Sequence, residues 1–212
     1  MDEVLKKLFE AVLEGSIEDV ESNVRKALDA KLNPIMILDD GMIAAMREVG
    51  CRFEAGEYYV PEMLIAARAM QSGMAILKSH LQQMDRKPSG KVVIGTVKGD
   101  LHDIGKNLVK LMLEGAGFEI KDLGVDVPVE DFIRAAQEEK PDIVALSALL
   151  TTTMHMMKQT IEAFSAAGLR DKVKIIVGGA PVTETFANEI GADGFSLDAS
   201  RAVSVAKSLI GA

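Results

Sequence analysis

The sequence predicts an α/β protein in which a flavodoxin-like, doubly wound five-stranded parallel sheet is preceded by an all-α four-helix bundle. Up to about residue 86, apolar residues recur at helical spacing between helix-capping residues, and no convincing strand pattern occurs. After about residue 90, short β-branched runs alternate with amphipathic segments, the order that a parallel sheet with crossover helices requires. We therefore expect two domains, a helical bundle over residues 1–86 and a Rossmann-like domain over residues 87–212.

Helix start and stop signals predict the four helices of the bundle. The first helix has an apolar stripe at helical spacing and ends at Gly15. Ser16 fits the capping position of the second helix. Asn33 followed by proline marks the start of the third helix, which runs toward Phe53, and Pro61 opens the fourth. Short links between such helices are typical of a bundle.

Five strands and five helices are expected in the second domain, joined by right-handed crossovers. The strands are expected over residues 91–97, 118–123, 143–148, 173–178 and 194–197. The helices are expected over residues 105–115, 129–139, 153–167, 183–190 and 199–210. The polar, proline- and glycine-bearing segment 85–90 indicates a linker between the two domains.

Composition argues against several classes of function. The formal net charge of −8 argues against a surface for nucleic acid or anionic membranes, since both need clustered Lys and Arg. No apolar run approaches the ~20 residues of a membrane span, and the first residues lack the order of a signal peptide. The single cysteine, Cys51, excludes an internal disulfide and suits a reducing compartment. We therefore expect a cytoplasmic protein.

The segment 100–105, Asp-Leu-His-Asp-Ile-Gly, directly follows the predicted first strand. Its histidine, His102, is expected on a strand-to-helix loop at the carboxyl edge of the sheet, where open α/β folds bind ligands. Asp100 can point the same way, so its carboxylate can accept a hydrogen bond from one ring nitrogen and fix the tautomer. Gly105 permits close approach of the backbone to a ligand.

Two further polar elements follow strands downstream. They are Ser-Ala-Leu at 147–149 with three threonines at 151–153, and Gly-Gly at 178–179. Together with segment 100–105 they resemble the signature of cobalamin-binding domains that hold the corrinoid with its own base displaced. The helical region in front resembles the corrinoid proteins of methanol, methylamine and methyl-ether methyltransferase systems, and the cobalamin module of methionine synthase. The resemblance covers essentially the whole chain.

The resemblance implies roles for individual residues. His102 would be the metal ligand on cobalt, with Asp100 and the Thr153 hydroxyl forming a relay behind it. Thr153 stands where the methionine-synthase type has a serine, and it keeps the hydroxyl. The glycines at 178–179 would leave space for the nucleotide tail of the cofactor. The implied cofactor-binding residues are Asp100, His102, Asp103, Ile104, Gly105, Ser147, Leu149, Thr151, Thr153, Gly178 and Gly179.

The function implied by the resemblance is that of a methyl carrier. The protein would bind cobalamin or a related corrinoid and take a methyl group from a donor-specific methyltransferase. It would pass this group to an acceptor methyltransferase that uses tetrahydrofolate or coenzyme M, and a reductive activase is a further candidate partner. The helical bundle would act as a cap domain, and the chain alone would be a non-catalytic subunit.

Two other functions share parts of this pattern. The cobalamin-binding subunit of a B12-dependent mutase shares the Asp-x-His-x-x-Gly core, but a helical bundle of this kind is not expected there. A cobalamin-sensing regulator also pairs a bundle with this module, but it usually adds a DNA-binding domain. The net charge of −8 and the lack of an obvious helix-turn-helix with a basic face count against the regulator.

Overall fold

A computed structural model describes residues 3–82 and 88–211. The chain divides into two compact units, residues 1–87 and residues 88–212, of which the first is helical and the second α/β. The expected domain boundary after residue 86 and part of the expected linker, residues 85–87, lie outside the described residues. In the part of the chain that the structure describes, no helix combines the length and hydrophobicity needed to cross a membrane.

Capping side chains fix the helix starts in the first unit. Ser16 Oγ accepts a hydrogen bond from the Asp19 N–H at 3.4 Å, and Asn33 Oδ1 accepts one from the Ile35 N–H at 2.9 Å. Pro34 follows at the first turn, where its missing N–H leaves no bond unmade. The helical segments are α1 (Glu3–Glu14), α2 (Ile17–Asp29), α3 (Pro34–Met36), a π-helical turn (Ile37–Ile43), α4 (Ala44–Glu54) and α5 (Val60–Gln82).

The third predicted helix is interrupted by the π-helical turn, whereas the sequence predicted one helix from Pro34 toward Phe53. The turn contains Gly41, and a Cβ at this position would stand 2.8 Å from Leu8 Cδ2 of α1. The glycine therefore lets the turn pack closely against α1. A single widened turn hardly alters the apolar periodicity, which is why the sequence pattern did not reveal it.

Methionines fill much of the bundle core. Met42, Met46, Met63 and Met70 are at most 3% exposed. The unbranched thioether side chain adapts to irregular gaps, and burying one contributes about 1.5–3 kcal/mol relative to leaving it exposed. Packing therefore explains these four methionines.

The second unit is a single parallel sheet with helices between its strands. The strands are β1 (Lys91–Thr96), β2 (Glu119–Asp122), β3 (Ile143–Ser147), β4 (Lys174–Gly178) and β5 (Gly194–Ser196), and the helices are α6 (Ile104–Gly115), α7 (Val129–Glu139), α8 (His155–Ala166), α9 (Glu184–Glu189) and α10 (Ala199–Ile210). The strand order is β2-β1-β3-β4-β5, with every pair parallel. This is the flavodoxin-like doubly wound order, so the predicted fold class is confirmed.

Both faces of the sheet are buried. In β1, Val93 belongs to the core on one face with Phe132 of α7, and Val92 belongs to the core on the other face with Leu113 of α6. Gly95 leaves room for Phe132, since a Cβ there would lie 2.8 Å from Phe132 Cζ. A strand buried on both sides carries a continuous apolar run, which is how the sequence revealed β1.

Helix α8 begins at His155, two residues later than the sequence predicted. The N–H groups of Thr153 and Met154 both donate to the Leu150 carbonyl, at 3.0 and 3.2 Å, and form a turn in front of the helix. Thr153 therefore lies in a turn rather than in a helix, and its side chain reaches a neighbouring loop.

Candidate functional site

Small residues line up at the carboxyl ends of the central strands. Thr96 of β1 pairs in register with Ser147 of β3, and Ser147 pairs with Gly178 of β4. In doubly wound sheets, ligands bind outside this edge where the strand order reverses, and here the order reverses between β1 and β3. The loops that follow these two strands, residues 97–103 and 148–154, therefore form the candidate site.

The loop after β1 holds His102 against Asp100. His102 Nδ1 lies 2.7 Å from Asp100 Oδ1, and the His102 backbone N–H donates to the same oxygen at 3.1 Å. The Asp100 side chain is fully buried, whereas the His102 side chain is half exposed. Thr96 Oγ1 donates to the His102 carbonyl at 2.9 Å and ties the loop to the end of β1. The imidazole is thus fixed on one side and accessible on the other.

The second oxygen of Asp100 connects this loop to the loop after β3. Asp100 Oδ2 accepts hydrogen bonds from the N–H groups of Leu149 and Leu150, at 2.8 and 3.1 Å. The Thr153 hydroxyl lies 2.8 Å from the same oxygen and 2.9 Å from the Leu150 carbonyl. The hydroxyl has one proton, and the charged carboxylate is the stronger acceptor of the two. Residues of two separate sequence motifs therefore meet at one carboxylate.

Asp100 is held in its ionised form. Burial alone would raise the pKa of this carboxyl, but hydrogen bonds from the His102 ring, the Leu149 N–H and the Thr153 hydroxyl outweigh burial and hold the pKa well below its usual range. An ionised carboxylate has no proton to donate, so the proton between the two side chains lies on His102 Nδ1. In the neutral form of the ring, Nε2 then carries the lone pair, which makes it the nitrogen that can ligate a metal.

Exposed apolar side chains lie next to His102. Leu101, on the same loop, is 71% exposed, and Ile104, the first residue of α6, is 81% exposed. Leu149 and Leu150, which bond to Asp100 through their backbone, are also exposed. Large apolar residues left in solvent around one polar group are typical of a binding surface for a ligand with an apolar face.

The donor set fits a metal that arrives inside a macrocycle. Over residues 3–82 and 88–211, no three or more His, Cys, Asp or Glu side chains are grouped so that they could hold a metal ion. If His102 ligates a metal, it would be a single protein donor among the described residues, and the other donors would come as part of a cofactor. A corrinoid would supply the remaining donors itself, and the apolar side chains beside His102 suit a large cofactor with an apolar face. The residues present therefore fit a corrinoid.

The three glycines of the predicted set differ in their surroundings. At Gly105 a Cβ would meet nothing within 4 Å, so the start of α6 is open. At Gly178 a Cβ would lie 3.1 Å from the Ser196 carbonyl oxygen. Gly179 has a φ of 132°, and a Cβ there would lie 1.9 Å from the Ala148 carbonyl oxygen. The close approach of two loops thus requires Gly179, a reason that the sequence analysis did not foresee.

The other predicted residues lie at the same edge without bonding to Asp100. Asp103 Oδ2 accepts a hydrogen bond from Asn107 Nδ2 at 2.9 Å, in the first turn of α6. Ser147 is partly buried at the end of β3, and Thr151 is exposed in the turn before α8. None of the hydrogen bonds to the Asp100 carboxylate described above comes from these residues.

Sequence reasoning missed two contributors to the site. The Leu150 N–H donates to Asp100, but backbone donors leave no trace in a residue pattern. Thr96 is fully buried and bonds the His102 carbonyl. A hydroxyl residue in an otherwise apolar strand was the signal that could have revealed it.

Comparison with known families gives matches in both units. Two family models, each described as a B12 binding domain, match residues 4–78 and residues 90–204. The first match lies in the helical unit and the second covers most of the α/β unit, including all of the candidate site.

Individual proteins are similar over nearly the whole chain. The dimethylamine corrinoid protein of Methanosarcina barkeri is 44% identical over 210 residues, which cover 99% of this chain and 98% of the relative. The structure of the methanol:cobalamin methyltransferase complex MtaBC from Methanosarcina barkeri matches with a TM-score of 0.90 and 32% identity, over 99% of this chain and 80% of that chain. A cobalamin-binding protein from Desulfitobacterium hafniense DCB-2 matches with a TM-score of 0.80 and 36% identity, over 97% and 98%.

Proposed function

The chain belongs to the corrinoid proteins of methyltransferase systems, and on that premise we propose that it carries a methyl group between two methyltransferases on a corrinoid bound through His102. One observation carries the proposal: a half-exposed imidazole is paired with a buried, ionised carboxylate at an apolar sheet edge. This pairing gives Nε2 a lone pair and a fixed direction. When bound, the corrinoid supplies the cobalt that accepts and releases the methyl group.

His102 would hold the cofactor by ligating its cobalt in place of the cofactor's own base. Asp100 keeps the proton on Nδ1, and the Thr153 hydroxyl and the Leu149 N–H hold Asp100 in place. The ring cannot rotate without breaking its hydrogen bond to a buried charge, so the ligating nitrogen stays aimed in one direction.

The remaining predicted residues are proposed to receive the rest of the cofactor. The open start of α6 at Gly105 permits a close approach of the nucleotide tail. Ser147 and Thr151 offer hydroxyl groups, and Leu149 offers an apolar wall. Asp103, Ile104, Gly178 and Gly179 complete the proposed set at the same edge.

Two partner enzymes are proposed. The first is a donor-specific methyltransferase, and the similarity to a corrinoid protein named for dimethylamine makes methylamines the first donors to test. The second is an acceptor methyltransferase that uses tetrahydrofolate or coenzyme M, and a reductive activase would return the cofactor to its reduced state. The helical unit would act as a cap that shields the cofactor. The similarity over 98% of the length of the dimethylamine relative favours this carrier over the mutase subunit and the regulator.

The ligand assignment is tested on protein reconstituted with cob(II)alamin. Its electron paramagnetic resonance spectrum should show coupling to one imidazole nitrogen of the protein, and labelling histidine with ¹⁵N should change the splitting. The variant His102→Ala should lose this coupling, even if the tail still retains the cofactor. The variants His80→Ala and His155→Ala, which alter the other two histidines, should keep it. A splitting that is insensitive to the label would contradict the assignment.

The carrier function is tested with purified partners. The reduced holoprotein is mixed with candidate methyltransferases and a panel of methylated donors, and visible spectra follow the oxidation state of cobalt. We expect methylation only with a matching donor enzyme, and demethylation only with an acceptor enzyme. Full turnover by the holoprotein alone would contradict the role of a non-catalytic carrier.

A further inference from the structure

The loop that carries His102 begins with a tight turn. The Asp100 N–H donates to the Val97 carbonyl at 3.1 Å, which closes a four-residue turn. Gly99 occupies the third position with a φ of 83°, as a type II turn requires. The direction in which the chain leaves this turn decides where the Asp100 carboxylate lies, and through it the orientation of His102.

Asp126, in the segment after β2, holds this turn by side chain and backbone. Its Oδ1 accepts the Gly99 N–H at 2.7 Å, and its Oδ2 lies 3.0 Å from Lys98 Nζ. Its own N–H donates to the Asp100 carbonyl at 2.9 Å. Asp126 adopts a φ of 54°, a left-handed conformation that costs energy for most side chains. Asp126 is thus a residue in the left-handed conformation that bonds to three successive residues of the site loop, and these contacts indicate a structural role in that loop.

Asp122, at the end of β2, holds the other side of the loop. Lys106, in the first turn of α6, is 3% exposed, and its Nζ lies 2.7 and 2.8 Å from the two oxygens of Asp122. The Gly124 N–H donates to Asp122 Oδ1 at 2.9 Å and fixes the carboxylate from its own side. Burying a lysine is costly unless it is paired, so this contact pins the start of α6 to the sheet.

The segment that carries these two carboxylates is itself anchored to β1, through Gly124 and through Val127 directly after it. The Thr96 N–H donates to the Gly124 carbonyl, and the Val127 N–H donates to the Thr96 carbonyl, both at 3.0 Å. A segment fixed to β1 therefore contacts residues 98–100, just before the histidine, and Lys106 in the first turn of α6, just after it.

We propose that residues 122–126 form a bracket that positions His102, with Asp126 holding the entrance of the loop and Asp122, through Lys106, holding its exit. Neither carboxylate touches the imidazole, so both are positioning residues. The relevance of the bracket to the cofactor rests on the proposed ligand role of His102. Its effect on the loop does not depend on that role and can be measured without cofactor.

The hold on the entrance is tested by the rate at which the His102 Nδ1 proton exchanges with water. This rate is measured by ¹⁵N-edited NMR in the protein without cofactor. In Asp126→Gly, a left-handed φ is still easy, but the carboxylate acceptor for the Gly99 N–H is gone. We expect this proton to exchange with water at least about tenfold faster than in the unchanged protein, the scale of one lost hydrogen bond to a charged group. Asp126→Asn keeps an oxygen acceptor and tolerates the same φ, so it should restore slow exchange.

Two lysine variants test the exit and control for loss of charge. Lys106→Met removes the buried partner of Asp122, and Lys91→Met removes the same charge from an ion-pair cluster at the amino end of β1. We expect fast exchange of the His102 proton in the first and unchanged exchange in the second. Should Lys106→Met not fold, the double variant Lys106→Met/Asp122→Asn, which leaves no buried unpaired charge, takes its place.

A further lysine variant is a control for the entrance. Lys98→Met removes only the exposed ion pair to Asp126, so the exchange rate of the His102 proton should not change.

Reconstitution with cob(II)alamin separates failure of the bracket from failure of the proposed function. In Asp126→Gly, the fraction of the Co(II) signal that shows coupling to a protein nitrogen should fall. In Asp126→Asn, this fraction should recover. The bracket would be overturned if the His102 proton exchanged at the same rate in the unchanged protein, in Asp126→Gly, and in Lys106→Met or its double variant. Missing nitrogen coupling in the unchanged protein would overturn the ligand assignment, and the exchange rates would still decide the bracket.

Discussion

Among the described residues, Asp100 is the one acidic side chain that is buried. A buried charge is stable only when its hydrogen-bonding capacity is used, and both oxygens of Asp100 accept bonds from two different loops. Each of these donors is therefore needed at its own position, because an unsatisfied buried charge costs at least about 1–3 kcal/mol. The site is specified residue by residue although most of it lies on loops.

Gly179 is the residue where a small change should have a large effect. In Gly179→Ala, the new Cβ would press on the Ala148 carbonyl, and the φ of 132° would be strained. We expect a loss of roughly 3 kcal/mol or more of unfolding free energy, measured by urea denaturation. Gly191 has a φ of 76° and open space around an added Cβ, so Gly191→Ala should lose only about 1–2 kcal/mol of unfolding free energy. Equal losses in both variants would contradict the steric argument.

At the scale of elements, the α/β unit was predictable from the sequence because the ends of its helices and strands are determined by neighbouring residues. Helix α7 was predicted over residues 129–139 and is found there, since Pro128 precedes it and Lys140, with a φ of 46°, ends it. Every strand lies within a residue of its expected bounds because apolar runs end in turn-forming residues. The π-helical turn and the late start of α8 were not predicted, since both depend on tertiary packing rather than on local pattern.

The candidate site was predictable in part for the same reason. Asp100 and His102 share one loop, so their contact follows from two-residue spacing and the position after β1. The contacts from Leu150 and Asp126 join segments far apart in sequence. These contacts depend on which strands are neighbours in the sheet, and a local sequence pattern does not predict the order of the strands.

The contact of β2 with α6 should affect acid stability. Burial would raise the pKa of Asp122, but hydrogen bonds from Lys106 and the Gly124 N–H outweigh burial and lower it. Because the folded pKa lies below the unfolded value, the pair stabilises the fold fully above the unfolded pKa of about 3.9. This stabilisation is lost as the pH falls from there through the folded pKa. Urea denaturation at a series of pH values should therefore show a shallower loss of stability below about pH 4 in Asp122→Asn.

Asp171→Asn, an exposed substitution of the same chemistry, serves as the control for the acid series. It should follow the slope of the unchanged protein. Parallel slopes for Asp122→Asn and the unchanged protein would contradict the role of this pair in acid stability.

At the scale of the whole molecule, the two units divide the proposed work. Every residue proposed to hold the cofactor lies in the α/β unit, whereas the helical unit contributes a methionine-rich core and no proposed cofactor contact. Both units match families described as B12 binding domains. Shielding of the reactive face is the role we propose for the helical unit.

A shortened chain that begins at Lys87 tests the shielding role. If its fold is verified by circular dichroism, it should still bind cobalamin because the proposed binding residues remain. Loaded with methylcobalamin, it should lose the methyl group under light faster than the full chain, because a cap favours recombination of the separated fragments. Equal rates of photolysis would contradict the role of the helical unit as a cap.

If His102 is the single protein donor, it also determines how the protein acquires its metal. Over residues 3–82 and 88–211, no three or more ligating side chains are grouped for a free metal ion, so under the proposed function the cobalt would arrive already inside the corrinoid. The identity of the metal would then be decided before binding, when the cofactor is made. The protein would recognise the finished cofactor through the surface around His102, where a free ion such as zinc would find too few protein donors to bind tightly. Fidelity for cobalt would in this sense be inherited from the biosynthesis of the cofactor.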